Sequence, residues 1–158
     1  MEINMNITKA TLHDLDVLYE IIQHTISAVY PDYYPTEVVD FFLTYHNKDS
    51  LKKDIEKDNI YLLSVDEHII GTGSVEGRYI GRVYILPEFQ GRGYGSKMMN
   101  VLEEKISNEF NTSFLDASLT SYDFYLKRGY KPTEYLKYEV ENHRMLCYYV
   151  MEKELGIQ

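Results

Sequence analysis

The chain has 158 residues, one cysteine, and 16 Lys plus Arg against 25 Asp plus Glu, a formal charge of −9. This length fits one domain that buries enough surface to fold without staples, and one cysteine forms no internal disulfide, so small secreted scaffolds are excluded and a reducing compartment is suited. The acidic balance argues against a duplex nucleic-acid partner, and no apolar run approaches the ~18–20 residues that cross a bilayer.

At the start, Met1-Glu2-Ile3-Asn4-Met5-Asn6 lacks the basic and apolar regions of a signal peptide. The expectation is a soluble, cytoplasmic protein with neither membrane nor nucleic-acid partner. Residues 5–10 read as a strand. Thr11 and Asp14 then have the capping-box spacing, and Leu15, Leu18, Tyr19, Ile22, Ile26 and Val29 continue at helical spacing, which predicts a helix over 12–29. Pro31 and Pro35 bracket a turn. Helices follow over 36–46 and 50–57. The pattern changes to strands over 60–65, 68–76 and 79–86, the last ended by Pro87. Gly91, Gly93 and Gly95 open a helix whose stripe is Tyr94, Met98, Leu102, Ile106 and Phe110. A buried strand covers 113–118. Thr120 and Asp123 have capping-box spacing before a short helix that stops at Gly129, and 130–140 pairs with 144–151 as a hairpin. This order predicts a single-domain α/β fold: a mixed, mostly antiparallel central sheet flanked by helices.

The densest chemical signal is the stretch from Val83 to Ser96, where a strand feeds a glycine loop that opens a helix. The first N–H groups of a helix lack internal partners and sit at the positive end of its dipole, so they hold an anion. The P-loop pattern fails here, because Lys97 follows Ser96 and not a glycine. The dinucleotide pattern G-x-G-x-x-G lacks its third glycine, which is Ser96. Its loop also belongs after the first strand of a parallel series, though Asp116 lies at the right distance to hold a ribose. A nucleotide-binding oxidoreductase is therefore the weaker rival.

Gln90-Gly91-Arg92-Gly93-Tyr94-Gly95 resembles the acetyl-CoA signature Q/R-x-x-G-x-G/A of the GNAT superfamily of N-acetyltransferases. Tyr84 to Phe89 resembles the lead-in to that loop, and Phe124-Tyr125-Leu126-Lys127-Arg128-Gly129-Tyr130 resembles the family's F-Y-x-x-x-G-F/Y segment. The element order agrees over residues 5–151. The resemblance implies a bulged strand at 79–86 that splays from the strand at 113–118. Pantetheine would lie along Val83, Tyr84 and Ile85, and the pyrophosphate on the amides of Gly91, Arg92, Gly93, Tyr94, Gly95 and Ser96 beside Gln90. It also implies acetyl transfer from acetyl-CoA to a primary amine by direct attack in a ternary complex, with Tyr125 as the acid for the leaving thiolate. No metal-ligand spacing occurs among the five histidines. Many relatives carry an Asn before the tyrosine-bearing helix. Ser118-Leu119-Thr120-Ser121 stands there instead.

The base is left open between Glu76, Asp116 and a water chain. Asp116 lies in an apolar strand whose partial desolvation would raise its pKa. Residues 10–47 hold six acids and no Lys or Arg, whereas Arg78, Arg82, Arg92 and Lys97 cluster around the glycine loop. An acidic acceptor wall is therefore expected for a cationic small-molecule or peptide amine. Tyr30, Asp32, Tyr33 and Tyr34 would be its contact residues by cation–π and charge pairing. Cys147 reads as a buried core thiol. A catalytically silent acyl-CoA-binding module is the alternative function, and monomer or homodimer is left open.

Overall fold

The computed structural model describes residues 3–156. In chain order these form β1 (Met5–Lys9), α1 (Leu15–Val29), α2 (Thr36–Tyr45), α3 (Lys48–Glu56), β2 (Ile60–Val65), β3 (His68–Glu76), β4 (Tyr79–Ile85), α4 (Tyr94–Ser107), β5 (Thr112–Ser118), α5 (Tyr122–Lys127), β6 (Lys131–Glu139) and β7 (Met145–Glu154). The strands make one seven-stranded sheet, β1-β2-β3-β4-β5-β7-β6. Every neighbouring pair is antiparallel except β4–β5. This is the expected mixed sheet.

Period-two alternation builds the two faces. In β2, Ile60 and Leu62 join Leu18, Ile22, Ile26, Leu51 and Ile55 from α1 and α3 in one core. Tyr61, Leu63 and Val65 point the other way and join Met98, Met99, Leu102 and Ile106 of α4 in a second. Gly73 is required where α4 crosses β3. A Cβ there would lie 2.8 Å from Met98 Cγ and 2.9 Å from Leu102 Cδ1, closer than atoms pack.

Three local expectations change. The helix over 12–29 begins as a 3-10 turn at Leu12–Asp14 before α1. The Asp14 carboxylate still accepts from the Thr11 N–H at 2.8 Å and its hydroxyl at 3.2 Å. The helix α4 stops at Ser107 and leaves Phe110 outside it and exposed. The Thr120 capping box does not form. Ser121 is the N-cap of α5, and the Thr120 hydroxyl bonds Ser118 Oγ at 2.7 Å instead.

Two features of β4 position the site. It pairs with β5 only through Tyr79–Phe114 and Ile80–Leu115, and then the strands separate. Between Thr72–Tyr84 and Ser74–Gly81, β4 carries one residue more than β3, a bulge. Arg82 sits in it at φ +48°, a left-handed conformation that costs a side-chain-bearing residue ~1–2 kcal/mol. Its side chain holds it there. Nε lies 2.9 Å from Asp54 Oδ2 and Nη2 lies 2.8 Å from Ser50 Oγ, both on α3, while Nη1 donates to His46 Nδ1.

Candidate active site

The open end of the splay leads to the glycine loop. Gly91 and Gly93 have φ +77° and +87°. A Cβ on either meets nothing within 4 Å, so backbone conformation and not space requires glycine. Gly93 caps α4, and the first bond of the helix runs from Lys97 N to Gly93 O at 3.1 Å. Among the described residues, no backbone acceptor takes the N–H groups of Gly91 through Ser96. Arg92 lies over the Phe89 ring at 5.4 Å, and Gln90 Nε2 donates to Ile85 O at 2.9 Å, which ties the loop to the end of β4.

A cleft of about 400 Å³ runs from this loop along Val83, Tyr84 and Ile85 to Tyr125. Thr25 on α1 lines it, and its hydroxyl is buried without a partner. Buried polar groups are paired as a rule, so the orphan oxygen and the free amides fit a cosubstrate carrying both anionic and amide groups.

A second cavity of about 260 Å³ opens on the other side of the splay. Tyr30, Val83, Tyr84, Ser121 and Tyr125 line both and form the shared wall. Tyr125 is buried, and burial pushes its hydroxyl well above the ordinary phenol value, so it is protonated at neutral pH. Asp116 faces the second cavity, where water reaches it although protein surrounds its other sides. Partial burial raises its pKa above the ordinary carboxylate value, opposed by the Tyr79 hydroxyl, which donates to Oδ2 at 3.2 Å.

Behind the shared wall lies a polar chain. Tyr84 Oη is 2.9 Å from His46 Nε2 and 3.5 Å from Tyr30 Oη, which Ser118 Oγ approaches at 3.4 Å. Arginine only donates, so His46 Nδ1 accepts from Arg82 and Nε2 carries the hydrogen given to Tyr84. Burial first, and the Arg82 charge second, push His46 down to about 3, so the ring is neutral.

The structure gathers Tyr30, Val83, Tyr84, Ile85, the glycine loop apart from the exposed Arg92 side chain, Asp116 and Tyr125 around the two cavities. Other candidates lie elsewhere. Glu76 ends β3, exposed and 3.8 Å from Lys57, and lines neither cavity. Asp32 and Tyr33 are exposed outside both. Tyr34 is buried as a tether: its hydroxyl accepts from Leu119 N at 2.7 Å and donates to Cys147 O at 2.9 Å. None of the six acids in 10–47 lines the second cavity. Asp14 caps the first turn, Asp16 pairs with Lys48 at 3.0 Å, and Glu37 faces Asn142 and Arg144. The expected acidic wall is therefore an outer helix surface. Cys147 is half-buried on β7 and not in the core. The side chains of His46 and Tyr79 were not foreseen at the site, and Arg82, expected around the glycine loop, lines the second cavity instead.

A sheet splayed after its fourth strand, with a glycine-turned helix at the open end, defines an acyl-CoA N-acyltransferase fold. The dinucleotide reading fails on topology, because the loop follows an antiparallel run and the sheet has one parallel pair. The model of the acetyltransferase (GNAT) domain matches residues 29–155, and the chain belongs to that family. A GCN5-related N-acetyltransferase of Rhodopseudomonas palustris shares the fold at TM-score 0.86 and 20% identity, over 98% of this chain and 99% of that one. The PaiA N-acetyltransferase of Thermoplasma acidophilum, solved with coenzyme A, gives 0.75 and 19% over 96% and 99%. The ribosomal-protein-S18-alanine N-acetyltransferase of Escherichia coli gives 0.72 and 13% over 98% and 96%. No curated protein matches the sequence. Among the described residues no helix is long and apolar enough to cross a membrane, and no cluster of metal-ligating side chains occurs.

Proposed function

We propose that the protein transfers an acetyl group from acetyl-CoA to a primary amine. The observation that carries this reading is the meeting of the two cavities at one wall, with a buried phenol and the splayed β4 backbone in it. The free amides at the start of α4 and Arg92 would hold the pyrophosphate, and the Thr25 hydroxyl would partner a polar group of the pantetheine arm. The coenzyme A bound to the Thermoplasma structure on the same fold supports this assignment.

The amine would enter from the Asp116 side. An alkyl ammonium has a pKa near ~10, so a proton must leave before the nitrogen can attack. Asp116 takes that proton, its raised pKa making it a better acceptor than a solvated carboxylate. The nitrogen bonds to the acetyl carbon, the carbon–sulfur bond breaks, and its electron pair goes to sulfur. Tyr125 gives the thiolate its proton, and the second proton shed by the nitrogen balances that loss. Electrostatic stabilisation of the acetyl oxygen falls to the β4 backbone at the bulge.

The test is release of free coenzyme A from acetyl-CoA over a panel of primary amines, with Tyr125→Phe beside the native protein. Amine-dependent release that drops in the variant is expected. Tight acetyl-CoA binding without turnover on any amine would mark a binding module and overturn the proposal.

A further inference from the structure

The second cavity differs in character from the acidic wall expected of the sequence. Its charges leave one free carboxylate. Arg82 is matched by Asp54 at 2.9 Å, His46 is neutral, and Asp116 alone remains without a cation. Ser118 and Ser121 add hydroxyls and Ile80, Val83 and Leu146 aliphatic surface, but most of the remaining lining is aromatic. Phe41, Phe42 and Tyr45 come from α2, Tyr138 from β6 and Tyr148 from β7. Phe41 sits 5.2 Å from the Tyr138 ring and 6.1 Å from the Tyr45 ring, so rings from two separate elements form one surface. Tyr45 and Tyr138 are 59% and 54% exposed at the mouth. Large aromatic side chains gathered around an open cavity are a common mark of a ligand site.

Taking the cavity as the acceptor site of the transfer reading above, we propose that the acceptor is a monocationic primary amine with an aromatic or branched apolar body. Its ammonium meets Asp116, and its body lies between the α2 rings and Tyr138. A cavity of about 260 Å³ suits a small molecule more than a folded substrate. A polyamine would carry a second ammonium into a space with no second carboxylate, and a buried charge without a partner is costly.

The experiment measures kcat/KM with acetyl-CoA for 2-phenylethylamine, hexylamine, 1,6-diaminohexane and ethylamine on the full chain. Hexylamine and 1,6-diaminohexane share a six-carbon chain, and the diamine adds one terminal ammonium. Hexylamine is expected to exceed the diamine, and 2-phenylethylamine to exceed ethylamine, each about tenfold or more. Tyr138→Ala and, separately, Phe41→Leu narrow the phenylethylamine-to-ethylamine ratio at least fivefold. Tyr138 is exposed on an edge strand, so its loss leaves the fold intact. A diamine equal to or better than hexylamine overturns the inference and leaves acetyl transfer standing. An unchanged ratio in both variants does the same. No turnover of any of the four amines overturns this inference, while the transfer reading falls only if coenzyme A release also fails over the whole amine panel.

Discussion

His46 Nε2 and Tyr84 Oη lie 2.9 Å apart behind the wall that the two cavities share. The imidazole also takes a hydrogen from Arg82, the bulge residue of β4, so one ring links the end of α2 to the strand beside which transfer would occur. Free histidine titrates near 6.5, whereas the buried ring is held at about 3. Between those values only the unfolded chain takes the proton. Stability from this residue is thus present above pH 6.5 and is lost as pH falls toward 3, by up to ~1.4 kcal/mol per pH unit. Urea unfolding at pH 7 and pH 5 checks this. The native protein is expected to lose more stability on acidification than His46→Gln.

Tyr125→Phe removes one oxygen from a buried ring packed against Tyr130 and Phe124. The rings stay filled, so the melting temperature is expected to hold. Turnover should fall by ~10²–10⁴, the worth of general acid catalysis, with acetyl-CoA affinity nearly unchanged. Steady-state kinetics beside calorimetric cosubstrate binding separates the two.

Asp116→Asn keeps the acceptor for Tyr79 and removes the charge. For a cationic amine, kcat/KM is expected to fall ~10²-fold or more. In the native protein, activity should decline as pH falls through the raised Asp116 pKa. A pH–rate profile of the variant should lack that acidic limb.

Gly93→Ala places a Cβ in open space but in a left-handed conformation. The cost is backbone strain, ~1–2 kcal/mol. The expected result is a KM for acetyl-CoA raised about tenfold. A KM within twofold of the native value would detach this turn from cosubstrate binding.

Thr25→Val replaces a buried, unpartnered hydroxyl with a methyl of the same shape. An unsatisfied buried group costs ~1–3 kcal/mol, so the free protein is expected to gain stability by a fraction of that. The acetyl-CoA KM should rise several-fold, and thermal melts with and without cosubstrate read both effects.

Much of this was legible in the sequence because it is local. The strand 60–65 is a short, nearly continuous apolar run and 68–76 is punctuated by Gly71 and Gly73, and their bounds match β2 and β3. The glycine loop announces itself, since left-handed turns before a helix need glycine. The His46–Arg82–Asp54 group was illegible because its members are 28 and 36 residues apart and meet only where the bulge turns Arg82 inward. Tyr34 shows the opposite failure. It stands in an aromatic-rich loop like a ligand contact, but its hydroxyl bridges Leu119 and Cys147, positions no local pattern connects. The acids of 10–47 misled because a charge run does not reveal which helix face it occupies.

On the transfer reading, the origin of the acceptor walls divides the chain by task. The rings at the mouth come from α2 and β6, whereas the cosubstrate cleft is built from α1, β4, the glycine loop and α5. Only the shared wall belongs to both. Substitutions at Phe41, Tyr45 and Tyr138 would then reshape which amine enters without changing a residue that lines the donor cleft. Exchanging those rings would be a direct route to redirected acceptor choice in this scaffold.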